Sequence, residues 1–449
     1  TVVVAAAFTA LIGPQGVLNE ALMALFSLEE PPIQLHRTLY IILIAHVFYN
    51  YPLALRMISS FWANQSPRLE ETARVLGCHG WRLWWEVRLP VLRPIILAAA
   101  VLVFIFTFTS FGVILILGGP RFATLEVEIY RQAISFFDLP MAAALSLVQI
   151  GSMLAMMIIY TRLQRQIASD LQRAPRTSRR PGTLREKALI AGNILLMTAL
   201  LFMPLAALVL RSFTVGADSF TLRHYQQLAV NLRSSILFVP PIEAIRNSLL
   251  FATVTTLLAL SLGLIAATWL ARRGARLARW LDPLFMLPLA TSAVTLGFGF
   301  IIALDEPPLN LRTSPLLMPI AHTLVAMPFV VRSVLPALRG IPPGVREAAQ
   351  VLGAPPWQVW QRIDLPLMSR GLIVGATFAF TVSMGEFGAS MFVARPETPT
   401  MPIVIYRLLG QPGIVNYGQA LAMSTILMAV CAVSFGLIER SRTVGMGEF

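Results

Sequence analysis

Several apolar runs in this chain are each long enough to cross a bilayer. AGNILLMTALLFMPLAALVL (191–210), SLLFATVTTLLALSLGLIAATWLA (248–271) and LIVGATFAFTVSMGEFGASMFVA (372–394) all reach the roughly 20 residues a spanning helix needs. In lipid every backbone N–H and C=O must be satisfied within the segment, so such runs fold as helices. Charged residues make up 13% of the chain, against roughly a quarter in a soluble domain. The sequence reads as an all-α, polytopic transmembrane helical protein.

The formal net charge is +13. Basicity of this size invites a nucleic-acid reading, but no aromatic–basic patch on a soluble domain supports it, and no nucleic-acid partner is expected. Arginine-rich loops held on the cytoplasmic side of a membrane account for the charge. Cys78 and Cys431 are too few and too far apart for a disulfide framework or a zinc site, and no metal-ligand spacing stands out. Cys431, in an apolar run, reads as a small hydrophobe. The chain starts at Thr1, and TVVVAAAFTALIG is too short to span and lacks the basic start of a signal peptide. It reads as beginning inside a membrane helix.

An internal repeat organises the rest. At an offset of 276 residues AHVFYNYPLALR (45–56) falls on AHTLVAMPFVVR (321–332), and LEETARVLGCHGWRLWWEVRLP (69–90) falls on VREAAQVLGAPPWQVWQRIDLP (345–366), without a gap. Phe111-Gly112 meets Phe387-Gly388, Thr124 meets Thr400, and Tyr130-Arg131 meets Tyr406-Arg407. The chain is therefore two homologous halves. The second, 189–442, is expected to hold six spans near 190–210, 247–270, 281–303, 316–338, 371–394 and 418–438. The first, 1–165, shows only a fragment at 1–13 and spans at 38–60, 95–117 and 142–161. TVVVAAAFTALIG matches SAVTLGFGFIIAL (292–304), so the first half reads as N-terminally truncated by about two and a half helices. A basic linker, 166–188, joins the halves.

Alternating the spans puts that linker, ARRGARLAR (271–279), both repeated polar segments and the C-terminal ERSR (439–442) on one face. The opposite face receives 118–141, 211–246, 304–315 and 395–417. The positive-inside rule makes the arginine-rich face cytoplasmic. Each polar segment, at about 66–93 and 342–370, is then a cytoplasmic loop between the fourth and fifth spans of its half. VREAAQVLG suits a short helix, Gly353 a left-handed stop, Pro355-Pro356 a second helix start, and Pro366 the end of that helix. Ala348, Ala349, Val351, Leu352 and Trp357 cannot all face water. A partner groove would cover them; the alternative is a helix lying on lipid, which Trp81, Trp84 and Trp85 would also suit.

Glu347-Ala348-Ala349, Gly353 and Leu365-Pro366 resemble the EAA loop of ABC importer permeases. The first copy is Glu71-Thr72-Ala73, Gly77 and Leu89-Pro90, with Thr72 in place of the second alanine. A single chain carrying both loops resembles the fused branch of that family, which includes thiamine and ferric-iron permeases. AHVFYNYPLALR, GPQG (13–16), LGGPRFATLEVEIYRQA (117–133) and GEFGASMF (385–392) share this likeness. The resemblance implies two six-helix permease halves in a bacterial inner membrane, whose loops dock on two ATP-binding subunits. It also implies an extracytoplasmic solute-binding protein and a small solute, ferric iron or thiamine. A phosphate-binding loop needs a lysine after glycine, and the one lysine, Lys187, lies in LREKAL. The chain is thus expected to be no enzyme and to carry no cofactor of its own, ATP being bound by the partner subunits.

The candidate coupling residues are Glu71, Ala73, Gly77, Leu89, Pro90, Glu347, Ala348, Ala349, Gly353, Leu365 and Pro366. The candidate translocation path holds Glu386, Ser110, His46, His322, Tyr49 and Asn50. Glu386, inside the expected fifth span, is costly in lipid; it is either a lone carboxylate near the path, suited to a cationic solute, or a group in a helix–helix hydrogen bond or at a helix end near the outer interface, and its repeat equivalent is Ser110. His46 and His322 sit in matching spans, where hydrogen bonding to a neighbouring helix is the commoner role. Pro52 and Pro328 are expected to kink those spans. Tyr49 and Asn50 have no polar match in the second half. An ATP-independent secondary transporter is the rival reading; a membrane enzyme would need clustered catalytic groups that do not stand out.

Overall fold

The computed structural model describes residues 1–66, 68–170, 181–215, 219–230, 239–272, 285, 288, 291–304, 311–312 and 314–443. The first half comprises α1 (Val2–Ile12), α2 (Val17–Phe26), α3 (Leu39–Ala63), α4 (Arg68–Val75), α5 (Gly80–Leu83), α6 (Leu89–Phe108), α7 (Gly112–Leu117), α8 (Leu125–Tyr130) and α9 (Leu139–Asp170). The second half opens with α10 (Leu184–Ser212), a minute hairpin of β1 (Thr214–Val215) and β2 (Ser219–Phe220), α11 (Arg223–Gln226) and α12 (Pro241–Arg272). It continues through α13 (Ala293–Ala303), α14 (Leu317–Arg339), α15 (Pro343–Val351), α16 (Pro356–Val359), α17 (Leu365–Gly385), α18 (Ser390–Val393), α19 (Met401–Leu409) and α20 (Ile414–Thr443). Among the described residues nine helical stretches are long and apolar enough to cross a membrane. Parts of the expected 281–303 span, of the 271–279 arginine segment and of the 211–246 and 304–315 segments lie outside the described residues, as does Pro67.

The repeat is visible element by element. At the 276-residue offset α5 falls on α16 end to end, and each is followed by one π-helical turn, Trp84–Arg88 and Trp360–Asp364. The fourth spans, α3 and α14, each enclose the matched proline, Pro52 or Pro328. The linker is shorter than the expected 166–188, because helix continues to Asp170 and resumes at Leu184. A capping box explains the restart: Glu186 N donates to Thr183 Oγ1 (3.2 Å), and Thr183 N donates back to Glu186 Oε2 (3.3 Å). The centre of the linker, 171–180, lies outside the described residues.

The halves interlock around α1. Its alanine-rich face lets helices approach closely, and Ala6, Ala7 and Ala10 bury against Leu208 of α10 and Leu421 of α20. In the second half α12, α14 and α17 form their own core, with Ala259, Ala266 and Leu270 packed on Val330, Val334 and Met368. Large apolar side chains are exposed along the outer helices, among them Leu189, Ile194, Leu195 and Phe202 of α10. Lipid is the solvent that suits such a surface, since hydrocarbon is as apolar as leucine.

Candidate functional site

Two regions bring the singled-out residues together. The first is the pair of polar loops. In each loop a short helix stops at a glycine in the left-handed region, Gly77 at φ 83° and Gly353 at φ 84°. The stop is a Schellman motif: Cys78 N donates to Ala73 O (2.9 Å) in one loop and Ala354 N to Ala349 O (3.0 Å) in the other. No atom lies within 4 Å of the space a Cβ would take at either glycine, so the backbone alone requires Gly there. Glu71 and Glu347 point to solvent, as do Thr72 and Ala348. The apolar tips beside the glycines are almost bare: Val75 is 87% and Leu76 81% exposed, Val351 87% and Leu352 86%.

One expectation is corrected here. Pro366 does not end the second short helix, nor does Pro90 in the first loop. The chain stays helical from Pro356 to Gly385 and from Gly80 to Phe108. The π turns make this feasible. Leu89 N reaches back five residues to Trp84 O, and Leu365 N to Trp360 O. The widened turn relieves the clash and the lost donor that a proline brings to a helix. Leu89, Pro90, Leu365 and Pro366 thus open the fifth spans.

The second region is the seam between the halves. The repeat-equivalent rings of Phe111 and Phe387 stack there, centroids 5.5 Å apart and planes 30° apart. Tyr130 meets Phe111 edge-on at 5.5 Å, and its equivalent Tyr406 meets Phe387 at 5.6 Å. Ser110 and Glu386, one residue before each stacked ring, are both buried. Glu386 lies just beyond the fifth span rather than inside it, where the apolar run 372–394 places it. The fifth span ends at Gly385, and Glu386 follows in extended backbone (φ −70°, ψ 125°). Its carboxylate turns onto the next short helix, accepting from Ala389 N (3.1 Å), Ser390 N (2.9 Å) and Ser390 Oγ (3.1 Å). The cluster continues to His322, whose ring nitrogens lie 2.8 Å from Ser383 Oγ and Ser390 Oγ and 3.7 Å from the Glu386 carboxylate.

The first half repeats the position but not the chemistry. His46 Nδ1 contacts only the backbone, Ile42 O at 2.8 Å, and its buried Nε2 has no partner among the described residues. Ser390 is matched by Ile114, so the hydroxyl that serves His322 is absent. Asn50 Nδ2 reaches Thr107 Oγ1 at 3.3 Å, and Tyr49 OH reaches Phe106 O at 3.3 Å.

Glu126 was not singled out in the sequence, yet it is 1% exposed. It accepts from Gln149 Nε2 (2.8 Å), and Gln149 Oε1 accepts from Thr295 Oγ1 (2.9 Å), so a polar chain bridges α8 and α9 to α13 of the other half. Glu126 lies between the membrane-spanning stretches. Burial pushes its carboxyl up to about 8, against hydrogen bonds from Ser292 and Gln149 that act the other way. A signal was present in the sequence. At the 276 offset Glu126 falls on Pro402 as Glu386 falls on Ser110, which makes both acids breaks in the repeat.

Two stretches of the chain, residues 2–173 and 259–441, match the family described as binding-protein-dependent transport system inner membrane component. The chain belongs to that family. It is a multi-pass inner-membrane permease of the ABC-importer class, with two permease units in one polypeptide. Among curated relatives, the thiamine transport system permease protein ThiP of Escherichia coli is 27% identical over 411 residues, covering 89% of this chain and 72% of the relative. ThiP of Brucella suis is 29% identical over 405 residues, covering 89% and 71%. A chain from a bacterial ABC transporter involved in the import of the acidic polysaccharide alginate is 17% identical, covering 63% of this permease and 98% of itself at a TM-score of 0.41.

Proposed function

We propose that this permease is the fused transmembrane subunit of an ATP-driven importer for thiamine. An extracytoplasmic binding protein delivers the solute to the outer face. Two ATP-binding subunits hold the ATP, dock on the two polar loops, and rock the halves against each other as they close. The observation that carries the reading is the duplicated surface. Glu71 and Glu347, Val75-Leu76 and Val351-Leu352, and Trp81 and Trp357 occupy equivalent exposed positions beside left-handed glycines. A bare apolar doublet on a short helix is what a groove-type partner takes up. Two copies of it fit two equal grooves. The named relatives support thiamine, an organic cation.

The test uses the permease in lipid vesicles with an ATP-binding subunit encoded beside it and its binding protein. ATP hydrolysis should rise when the binding protein carries thiamine. Stimulation by ferric iron and not by thiamine would overturn the substrate. Uptake that needs no ATP would return the secondary-transporter reading.

A further inference from the structure

The two loops share their outer surface but not their inner one. Positions 70 and 346 are repeat equivalents, and so are 88 and 364. In the first loop Arg88 grips Glu70 with two parallel bonds, Nε to Oε1 at 3.0 Å and Nη2 to Oε2 at 2.9 Å. In the second loop Arg346 Nε donates to Asp364 Oδ1 at 2.7 Å. The same two positions therefore hold the same ion pair with its charges exchanged. In both loops it ties the docking helix, α4 or α15, to the last residue of the π turn, immediately before the Leu-Pro that opens the fifth span.

We propose that these two pairs are struts that fix the angle of each docking helix against the span it drives, and that Glu70, Arg88, Arg346 and Asp364 are positioning residues for coupling. The proposal rests on the docking reading above and adds the element that transmits the movement. Three features support it. First, α4 has eight residues and none of them is buried. A helix that short is marginal in water on its own, so its orientation depends on what ties it down. Second, both pairs are part-buried and within hydrogen-bond distance, the first of them two-pronged, unlike the fully exposed ion pairs that contribute little. Asp364 is buried, and Arg88 also lies over the Trp62 and Trp84 rings, 5.9 Å from each centroid. Trp62 belongs to α3, so the first strut reaches the fourth span as well as the fifth. Third, the inversion separates two roles. Residues that meet a common partner must present the same chemistry in both loops, and Glu71/Glu347 and the Val-Leu doublets do. A pair that only holds two elements of the loop together is indifferent to which end carries which charge.

The experiment is a charge-exchange cycle in vesicles containing the full permease, its ATP-binding subunits and its binding protein. Glu70→Arg alone sets an arginine against both Arg88 and Arg74, which Glu70 also faces at 3.6 Å, and Arg88→Asp alone places two acids face to face. Asp364→Arg and Arg346→Glu do the same in the second loop. Two quantities are read: the affinity for the ATP-binding subunit and the solute moved per ATP hydrolysed. Each single reversal should lower solute per ATP by about tenfold while changing affinity by about threefold or less, and the double exchange Glu70→Arg/Arg88→Asp should restore transport to within about twofold. A merely structural role would lower both readouts together. If a reversal prevents insertion, Glu70→Gln and Asp364→Asn are judged by the same criterion. Single variants that couple as well as wild type, or a double exchange as defective as its parents, overturn the struts. Failure of the wild-type permease to engage an ATP-binding subunit at all overturns the docking reading instead.

Discussion

Replacing Glu386 with alanine separates two readings of the buried acid. In the structure the carboxylate accepts from two backbone amides and one hydroxyl at the start of α18. Alanine leaves Ala389 N and Ser390 N without an acceptor in a buried loop, while the Ser390 hydroxyl keeps His322. At roughly 1–3 kcal/mol for each of the two orphaned buried donors, the variant should lose about 2–6 kcal/mol. One kcal/mol moves the melting temperature of a unit of about 250 residues, the size of one half, by roughly 2 °C, so a fall of about 4–12 °C is expected. Glu386→Gln keeps a carbonyl oxygen for one amide and should lose less than half as much. The assay is thermal unfolding of the purified permease in detergent, beside solute uptake in vesicles. A wild-type melting temperature with uptake lost would refute the capping argument and place the carboxylate on the path.

Two further perturbations test the loop and the seam. Gly353→Val forces a β-branched residue to φ 84° with no contact to blame, so about 1–2 kcal/mol of backbone strain should weaken binding of the ATP-binding subunit by about 5- to 30-fold. Gly344→Ala, where a Cβ also meets open space, should leave that binding isotherm unchanged. For Glu126 the sign follows from a carboxyl raised from 4.5 to about 8 by burial. Its contribution to stability is fully present below the unfolded value and is lost as pH rises toward the folded one. Wild-type melting temperature should therefore fall between pH 5 and 8 and then level, and Glu126→Gln should flatten that slope.

The paired halves were legible because the repeat runs through both polar loops without a gap, so equal residues meet at equal spacing. The left-handed glycines were legible for the same reason: only one residue type relieves that backbone, and it recurs at 77 and 353. The end of the fifth span was not. Residues 371–394 stay apolar across the break, and a buried acid that turns back to cap α18 leaves no mark in hydropathy. The continuous helix through Pro90 and Pro366 was hidden because a π turn has no composition of its own. The struts escaped because matching by identity scores Glu70 against Arg346 and Arg88 against Asp364 as two mismatches. Only their contact across each loop turns the mismatches into one inverted pair.

On the docking reading, both loops of this one chain hold ATP-binding subunits. Native mass measurement of the permease purified with its ATP-binding subunit, before and after replacing Leu76 and Leu352 together with glutamate, tests it most directly. The account predicts two ATP-binding subunits on each wild-type chain and none on the double variant. A wild-type chain that carries no such subunit, or a double variant that still carries both, would contradict it.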